Sequence, residues 1–189
     1  YSLMYEEGTT LYRLLQQGKI KESDEDTDRR MYGMLIDKMT AAGYVHYEIS
    51  NFALPGRRAL HNSNYWNSTP YMGIGAAAHS YNITSRQWNI SDLRKYILEV
   101  ENGHLPFECE YLDITERYND TVMLSLRTCD GIDLADLKSR FGTDLHSYLL
   151  RQARQYEESG LLVHEHDRLR LSRNGLYVSD MVITDLLKV

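Results

Sequence analysis

Glycines that close successive amphipathic segments constrain the fold of this chain more than any other feature. Five segments with apolar residues spaced three or four apart each end at a glycine, namely Gly18, Gly43, Gly103, Gly142 and Gly160. Glycine commonly follows the last turn of a helix because it adopts the left-handed conformation at little cost. The sequence therefore predicts several helices of defined length. Similar apolar spacing predicts two more, over residues 115–127 and 173–188.

Polar side chains that can cap a helix precede three of these segments. Ser23 begins one, with Asp26 three residues later as in a capping box, and Ser91 and Asp144 begin two others. The helix after Ser23 is predicted to carry its apolar residues on one face: Met31, Met34, Leu35, Met39 and Ala42.

Strand-like segments alternate with helices in the first part of the chain. Residues 1–5, 45–53 and 71–82 are predicted as strands, the last of them buried and tight with glycine and alanine. After Pro106 glycines become sparse and helices dominate. Three helices, a hairpin around Asp167 and a final helix are typical of a winged-helix-like unit.

These elements predict an α+β fold in two parts. We place the division near residues 103–113, which gives domains at 1–105 and 106–189.

Charge argues against a nucleic-acid partner. The chain has a net charge of −6, and residues 113–189 carry 10 Lys or Arg against 13 Asp or Glu. Phosphate binding needs a basic face, so the winged-helix-like unit is predicted to be a helical cap without a nucleic-acid role. No apolar segment approaches the ~20 residues that span a bilayer. Cys109 and Cys129 do not make a disulfide framework, which together with the lack of a signal peptide predicts a cytoplasmic protein.

The segment HNSNYWNSTPYMGIGAAAHSYN, residues 61–82, is the candidate site. His61 follows a Pro-Gly turn and precedes Asn62, Tyr65 and Trp66. A neutral imidazole can ligate heme iron, and aromatic side chains can pack on a porphyrin. The alternative is a structural loop histidine with Trp66 covering the core. For His79 we favour a structural role near the core, and Gly73-Ile74-Gly75 permits close approach of a ligand or a neighbouring strand.

Six features in order make the chain resemble a known family. The chain is similar to the oxygen-independent coproporphyrinogen III oxidase family of radical S-adenosylmethionine proteins in having YSLxxEEGT, the capped helix after Ser23, GYxxYEISNFA, HNxxYW, GIGxxAHS and the C-terminal helical unit. The pair EISNFA and HNxxYW resembles the HemW-type heme-chaperone branch more than the true oxidases. The resemblance implies that the chain is the end of a radical S-adenosylmethionine partial barrel followed by the winged-helix-like domain.

The same resemblance implies the site residues. His61, Asn62, Tyr65 and Trp66 form the heme-binding element, with His61 as the proposed ligand of the heme iron. Met4 and His79 fall at positions that lie near S-adenosylmethionine in the oxidase branch, although neither is the residue type used there.

The family's other cofactor cannot be held by this sequence alone. A [4Fe-4S] cluster needs the CxxxCxxC motif, and this chain has only Cys109 and Cys129. We therefore expect a C-terminal fragment that catalyses nothing by itself, whereas the full-length protein would bind the cluster, S-adenosylmethionine and heme. Two alternatives stay open: an oxidative decarboxylase of coproporphyrinogen III, and a structural domain without ligand. Expected partners are heme or a porphyrinogen, a heme-receiving protein, and a second copy through the strand at residues 1–5.

Overall fold

The computed structural model describes residues 4–189, and the chain divides into two compact units that meet in sequence at Arg58 and Ala59. The first unit contains α1 (Thr10–Gln16), α2 (Glu25–Ala41), β1 (Val45–Glu48) and β2 (Asn51–Ala53). The predicted strand at residues 1–5 lies largely outside the described residues. The predicted domain division near residue 105 stays a prediction, as does the winged-helix designation.

Two sequence predictions for the first unit are wrong in detail. The cap of α2 is Asp24 and not Ser23, because the Asp24 carboxylate accepts a hydrogen bond from the Thr27 N–H at 2.8 Å. Residues 45–53 form an antiparallel hairpin of β1 and β2, in place of one continuous strand.

The apolar face predicted for α2 exists, but the unit does not cover it. Met31, Met34 and Leu35 are exposed, whereas Gly33 and Ile36 are the buried residues of the helix. Two helices and a two-stranded hairpin form too few layers to bury both sides of α2.

The second unit begins with a small helix and a three-stranded antiparallel sheet. Its elements are α3 (Leu60–Trp66), β3 (His79–Tyr81), β4 (Ser85–Asn89), α4 (Leu93–Glu101) and β5 (Phe107–Tyr111). The sheet order is β3-β4-β5, and its register pairs His79 with Trp88 and Trp88 with Glu108.

The buried strand predicted over residues 71–82 is wrong. Only β3 and a single bridge between Tyr71 and Tyr81 pair as strand, and Met72 and Ile74 are 82% and 88% exposed. The predicted cap of α4 moves by one residue, because Asp92 and not Ser91 accepts the Lys95 N–H, at 3.0 Å.

The rest of the second unit is built on one apolar core. Its elements are α5 (Ile114–Leu126), β6 (Ile132–Asp133), α6 (Leu134–Glu158), β7 (Leu162–Glu165), β8 (Arg168–Leu171), α7 (Arg173–Leu176) and α8 (Ser179–Leu186). The strands pair in the order β6-β8-β7. Tyr118 and Val122 of α5, Leu137 and Leu149 of α6, and Val182 of α8 are among the fully buried side chains.

Glycine divides α6 where the sequence predicts the end of one helix and the start of the next. Gly142 has φ 83°, a left-handed conformation inside an otherwise helical segment. The predicted hairpin around Asp167 is confirmed by β7 and β8. The single helix predicted over residues 173–188 is wrong, since α7 and α8 are separate. Among the described residues no helix combines the length and apolar character needed to span a membrane.

Candidate functional site

The HNxxYW segment forms the short helix α3, whereas the alternative role considered for His61 placed it in a structural loop. His61 and Tyr65 lie one helical turn apart, so their side chains share one face. The Tyr65 hydroxyl and His61 Nε2 are 3.2 Å apart, and their rings meet edge-on with centroids 5.0 Å apart. His61 is exposed and Tyr65 is 40% exposed, so this pair is accessible from solvent.

The other two motif residues lie on a more buried face of the same helix. Asn62 and Trp66 are also one turn apart, and both are half-buried. The indole N–H of Trp66 is buried and has no hydrogen-bond partner within the described part of the chain. The four predicted site residues therefore divide into an exposed pair and a half-buried pair.

Tyrosines from outside the motif continue the exposed pair into an aromatic row. The Tyr65 ring meets the Tyr71 ring edge-on, with centroids 4.9 Å apart. The centroids of the Tyr71 and Tyr81 rings are 6.2 Å apart. The backbone N–H groups of Tyr71 and Tyr81 each donate to the other residue's carbonyl at 2.9 Å, which fixes the row to β3. The row defined by His61, Tyr65, Tyr71 and Tyr81 thus joins α3 to the sheet.

Burial raises the pKa of the two tyrosines next to the sheet, Tyr71 and Tyr81, above the ordinary value of tyrosine. Partial burial raises the pKa of Tyr71, and the neighbouring Tyr65 raises it further. Burial also raises the pKa of Tyr81, as does the negative charge of Asp120. Tyr71 and Tyr81 therefore offer uncharged aromatic surface at neutral pH.

An ion-pair group beside the row is not predicted by the sequence. Arg86 of β4 pairs with Asp120 of α5 and with Glu110 of β5, the latter at 3.3 Å. These charges are distant in sequence, and Arg86 shares a face of the sheet with Tyr81 because the register of β3 and β4 pairs the two residues, which no local pattern indicates. The group ties the sheet to α5.

His79 lies in a different environment from His61. It is exposed at the start of β3 and stacks on Trp88, with ring centroids 6.1 Å apart. Both residues line an open cavity of about 510 Å³, which Asp92, Lys95 and Glu108 also line. Trp88 donates its indole N–H to Glu108 at 3.1 Å. The predicted core role of His79 is wrong, because its side chain faces an open cavity.

Met4, the other position expected near S-adenosylmethionine, belongs to the first unit and is 74% exposed. Residues 4–189 contain no group of three His, Cys, Asp or Glu side chains arranged to hold a metal ion.

Comparisons with known proteins agree with these motifs. The HemN C-terminal domain family matches residues 112–178. The chain is 30% identical over 183 residues to the heme chaperone HemW of Bacillus subtilis, covering 96% of this chain and 48% of that protein. It is 30% identical over 188 residues to the heme chaperone HemW of Mycobacterium tuberculosis, covering 99% of this chain and 46% of that protein. Over nearly its whole length the chain is therefore similar to HemW-type radical S-adenosylmethionine proteins.

A eukaryotic relative and a solved structure extend the comparison. The mitochondrial radical S-adenosyl methionine domain-containing protein 1 of Bos taurus is 32% identical over 200 residues, covering 99% of this chain and 45% of that protein. The coproporphyrinogen III oxidase HemN of Escherichia coli superposes with a TM-score of 0.67 at 16% identity, over 91% of this chain and 44% of that one. This last likeness shows the α+β fold. The chain spans about half the length of the curated relatives it matches.

Proposed function

We propose that this chain carries the heme-binding element of a HemW-type heme chaperone, with His61 offering a nitrogen to the heme iron. The observation that carries the proposal is the exposed His61–Tyr65 pair on α3, in a chain whose relatives are named heme chaperones. A solvent-facing imidazole can ligate heme iron, and the aromatic surface beside it can pack on the macrocycle.

The donor set of this face fits heme. The imidazole of His61 is an iron ligand in its neutral form, and the rings of Tyr65 and Tyr71 supply flat apolar surface next to it. Asn62 and Trp66 are half-buried, so we assign them to holding α3 in place and assign the contact with the macrocycle to Tyr65 and Tyr71. When bound, heme would supply the iron that His61 ligates.

The family's other cofactors belong to the same proposal. A [4Fe-4S] cluster and S-adenosylmethionine would be bound where a CxxxCxxC motif accompanies these segments, with Met4 and His79 near the S-adenosylmethionine. Two cysteines, Cys109 and Cys129, cannot provide the cluster ligands in this chain. A heme-receiving protein is the proposed partner. Oxidative decarboxylation of coproporphyrinogen III stays an alternative from the sequence, since the likeness to HemN supports the fold alone.

A titration of the 189-residue chain with ferric heme tests the proposal. We expect His61→Ala to abolish or shift the Soret band, while far-ultraviolet circular dichroism and the melting temperature stay nearly unchanged because His61 is exposed. His79→Ala is the matched control, because His79 is an exposed histidine of the same unit that stacks on Trp88. This variant should change the heme spectrum less than His61→Ala does. A spectrum unaffected by His61→Ala would refute the assignment. A larger effect of His79→Ala would move the ligand to the cavity beside β3.

A further inference from the structure

The contact between Tyr65 and His61 engages the nitrogen that iron would bind. Tyr65 places its hydroxyl 3.2 Å from His61 Nε2. Imidazole nitrogen is a better base than phenol oxygen, so the neutral pair has the hydroxyl donating and Nε2 accepting. In this arrangement the imidazole proton is on Nδ1. The same tautomer has the Nε2 lone pair that can bind a metal.

Packing of the Tyr65 ring against a neighbouring tyrosine holds the hydroxyl in this position. This ring packs edge-on against Tyr71, 4.9 Å between centroids. Tyr71 is itself fixed by two backbone hydrogen bonds to Tyr81 of β3, each 2.9 Å long. The Tyr65 side chain is therefore held next to His61 by two constraints: its packing on Tyr71 and its position on the helix that also carries His61.

We propose that the Tyr65 hydroxyl occupies the iron-binding nitrogen of His61 until heme displaces it, so that Tyr65 holds His61 in the ligating tautomer and also weakens heme binding. This inference rests on the proposed function of His61. Such competition suits a carrier that must release its cargo, because every heme bound must break the Tyr65–His61 hydrogen bond.

The size of the effect follows from the net strength of one hydrogen bond. Removing a partly exposed bond of this kind changes an equilibrium by about two- to tenfold. We therefore expect Tyr65→Phe, which keeps the ring and its contact with Tyr71, to bind ferric heme about two- to tenfold more tightly than the parent chain. Tyr111→Phe is the matched control, since Tyr111 of β5 is an exposed tyrosine of the same unit outside the aromatic row, and its heme affinity should match that of the parent.

Two measurements decide the proposal. In the heme titration, the gain from Tyr65→Phe must disappear when His61→Ala is added, because the competition acts through His61. Without heme, carbethoxylation of His61 by diethyl pyrocarbonate, followed by peptide mass spectrometry, should be faster in Tyr65→Phe than in the parent or in Tyr111→Phe.

The outcomes separate this inference from the proposed function. Unchanged or weaker heme binding by Tyr65→Phe, in a chain that loses heme with His61→Ala, overturns the competition alone. An unchanged rate of His61 modification in Tyr65→Phe overturns it as well. Equal heme binding by the parent and by His61→Ala refutes the proposed function, and the competition for iron fails with it.

Discussion

Gly73 packs directly against the backbone of His79. A Cβ atom at Gly73 would lie 2.2 Å from the His79 carbonyl oxygen and 2.8 Å from its nitrogen. The Gly73 N–H donates to the Ser80 hydroxyl at 2.9 Å, which holds the two segments together. The close approach permitted by the GIG sequence is therefore to a neighbouring segment of backbone.

Gly73→Ala should separate this loop from β3. The added methyl group meets backbone, which cannot move aside as a flexible side chain can, so we expect a loss of about 1–3 kcal/mol in the free energy of unfolding. Urea denaturation measures the loss, and near-ultraviolet circular dichroism should report the displaced Tyr71–Tyr81 contact.

Gly103→Ala is the control for that experiment. Gly103 has φ 81°, and a Cβ atom added there would have nothing within 4 Å, so alanine introduces backbone strain without a clash. Its tyrosine circular dichroism should stay at the parent value. An equal spectral change in both variants would contradict the close-packing explanation.

The sequence predicts helices of this chain well because their signals are local. Gly142 and Gly160 divide and end α6 where expected, with φ 83° and 72°. The starts of α2 and α4 are correct to within one residue, since Asp24 and Asp92 cap them in place of the serines beside them, whereas the predicted cap at Asp144 stays a prediction.

Strand pairing depends on partners that local patterns do not reveal. The sequence of β4, SRQWN, lacks the alternation of a strand with one apolar face, so this strand is not predicted. That of β5, FECEY, does alternate apolar and acidic residues, and the prediction of a mainly helical segment after Pro106 misses this strand signal. The hairpin within residues 45–53 is not predicted because neither glycine nor proline marks its turn. In the candidate site, the order of motif residues indicates His61 and Tyr65, but their hydrogen bond and the contact with Tyr71 arise only from the folded chain.

Glu48 replaces the missing turn residues in that hairpin. The buried Glu48 carboxylate accepts hydrogen bonds from the Ser50 N–H, at 3.1 Å, and from the Asn51 side-chain amide. Glu48→Gln replaces one acceptor oxygen by an NH₂ group that opposes these donors. We expect a loss of about 1.5–3 kcal/mol in local stability, because a hydrogen bond to a charged acceptor is removed.

Amide hydrogen exchange at Ser50 measures this loss directly. Glu22→Gln provides the control, since Glu22 is exposed and precedes α2, and it should leave the exchange rate nearly unchanged. Equal protection of Ser50 in the parent and in Glu48→Gln would show that the turn does not depend on the carboxylate.

His46 should make the stability of the first unit depend on pH. Its ring stacks on Phe52 with centroids 4.4 Å apart, and its Nε2–H donates to the Ile49 carbonyl at 3.2 Å. Burial lowers the pKa of His46 below its ordinary value, against smaller opposing effects of the Ile49 hydrogen bond and the Glu48 charge.

The direction of the pH effect follows from proton linkage. Above the unfolded pKa, about 6.5, neither state binds the proton. Below it the unfolded chain is protonated first, so the free energy of unfolding should fall as pH drops from about 6.5 toward the folded pKa, and then level off. Nuclear magnetic resonance titration of the His46 ring gives that pKa. His46→Gln should remove this part of the pH dependence, and a folded pKa at or above about 6.5 would contradict the prediction.

Two tyrosines close the C-terminal end of α8, where helix carbonyls lack partners within the helix. Tyr118 of α5 donates its hydroxyl to the Leu186 carbonyl at 3.0 Å, and Tyr148 of α6 donates to the Leu187 carbonyl at 2.8 Å. Tyr118 is fully buried, whereas Tyr148 is half-buried. Water can therefore replace a lost donor at the Leu187 carbonyl more readily than at the Leu186 carbonyl.

Tyr118→Phe should therefore cost more than Tyr148→Phe. We expect a loss of about 1–3 kcal/mol in the free energy of unfolding for Tyr118→Phe, since the Leu186 carbonyl is left buried without its donor. For Tyr148→Phe we expect about 0.5–1 kcal/mol, because solvent reaches that site. Urea denaturation of the two variants, which remove the same hydroxyl from neighbouring helices, makes the comparison. Equal losses, or a larger loss for Tyr148→Phe, would mean that burial of the carbonyl does not set the energy of this helix end.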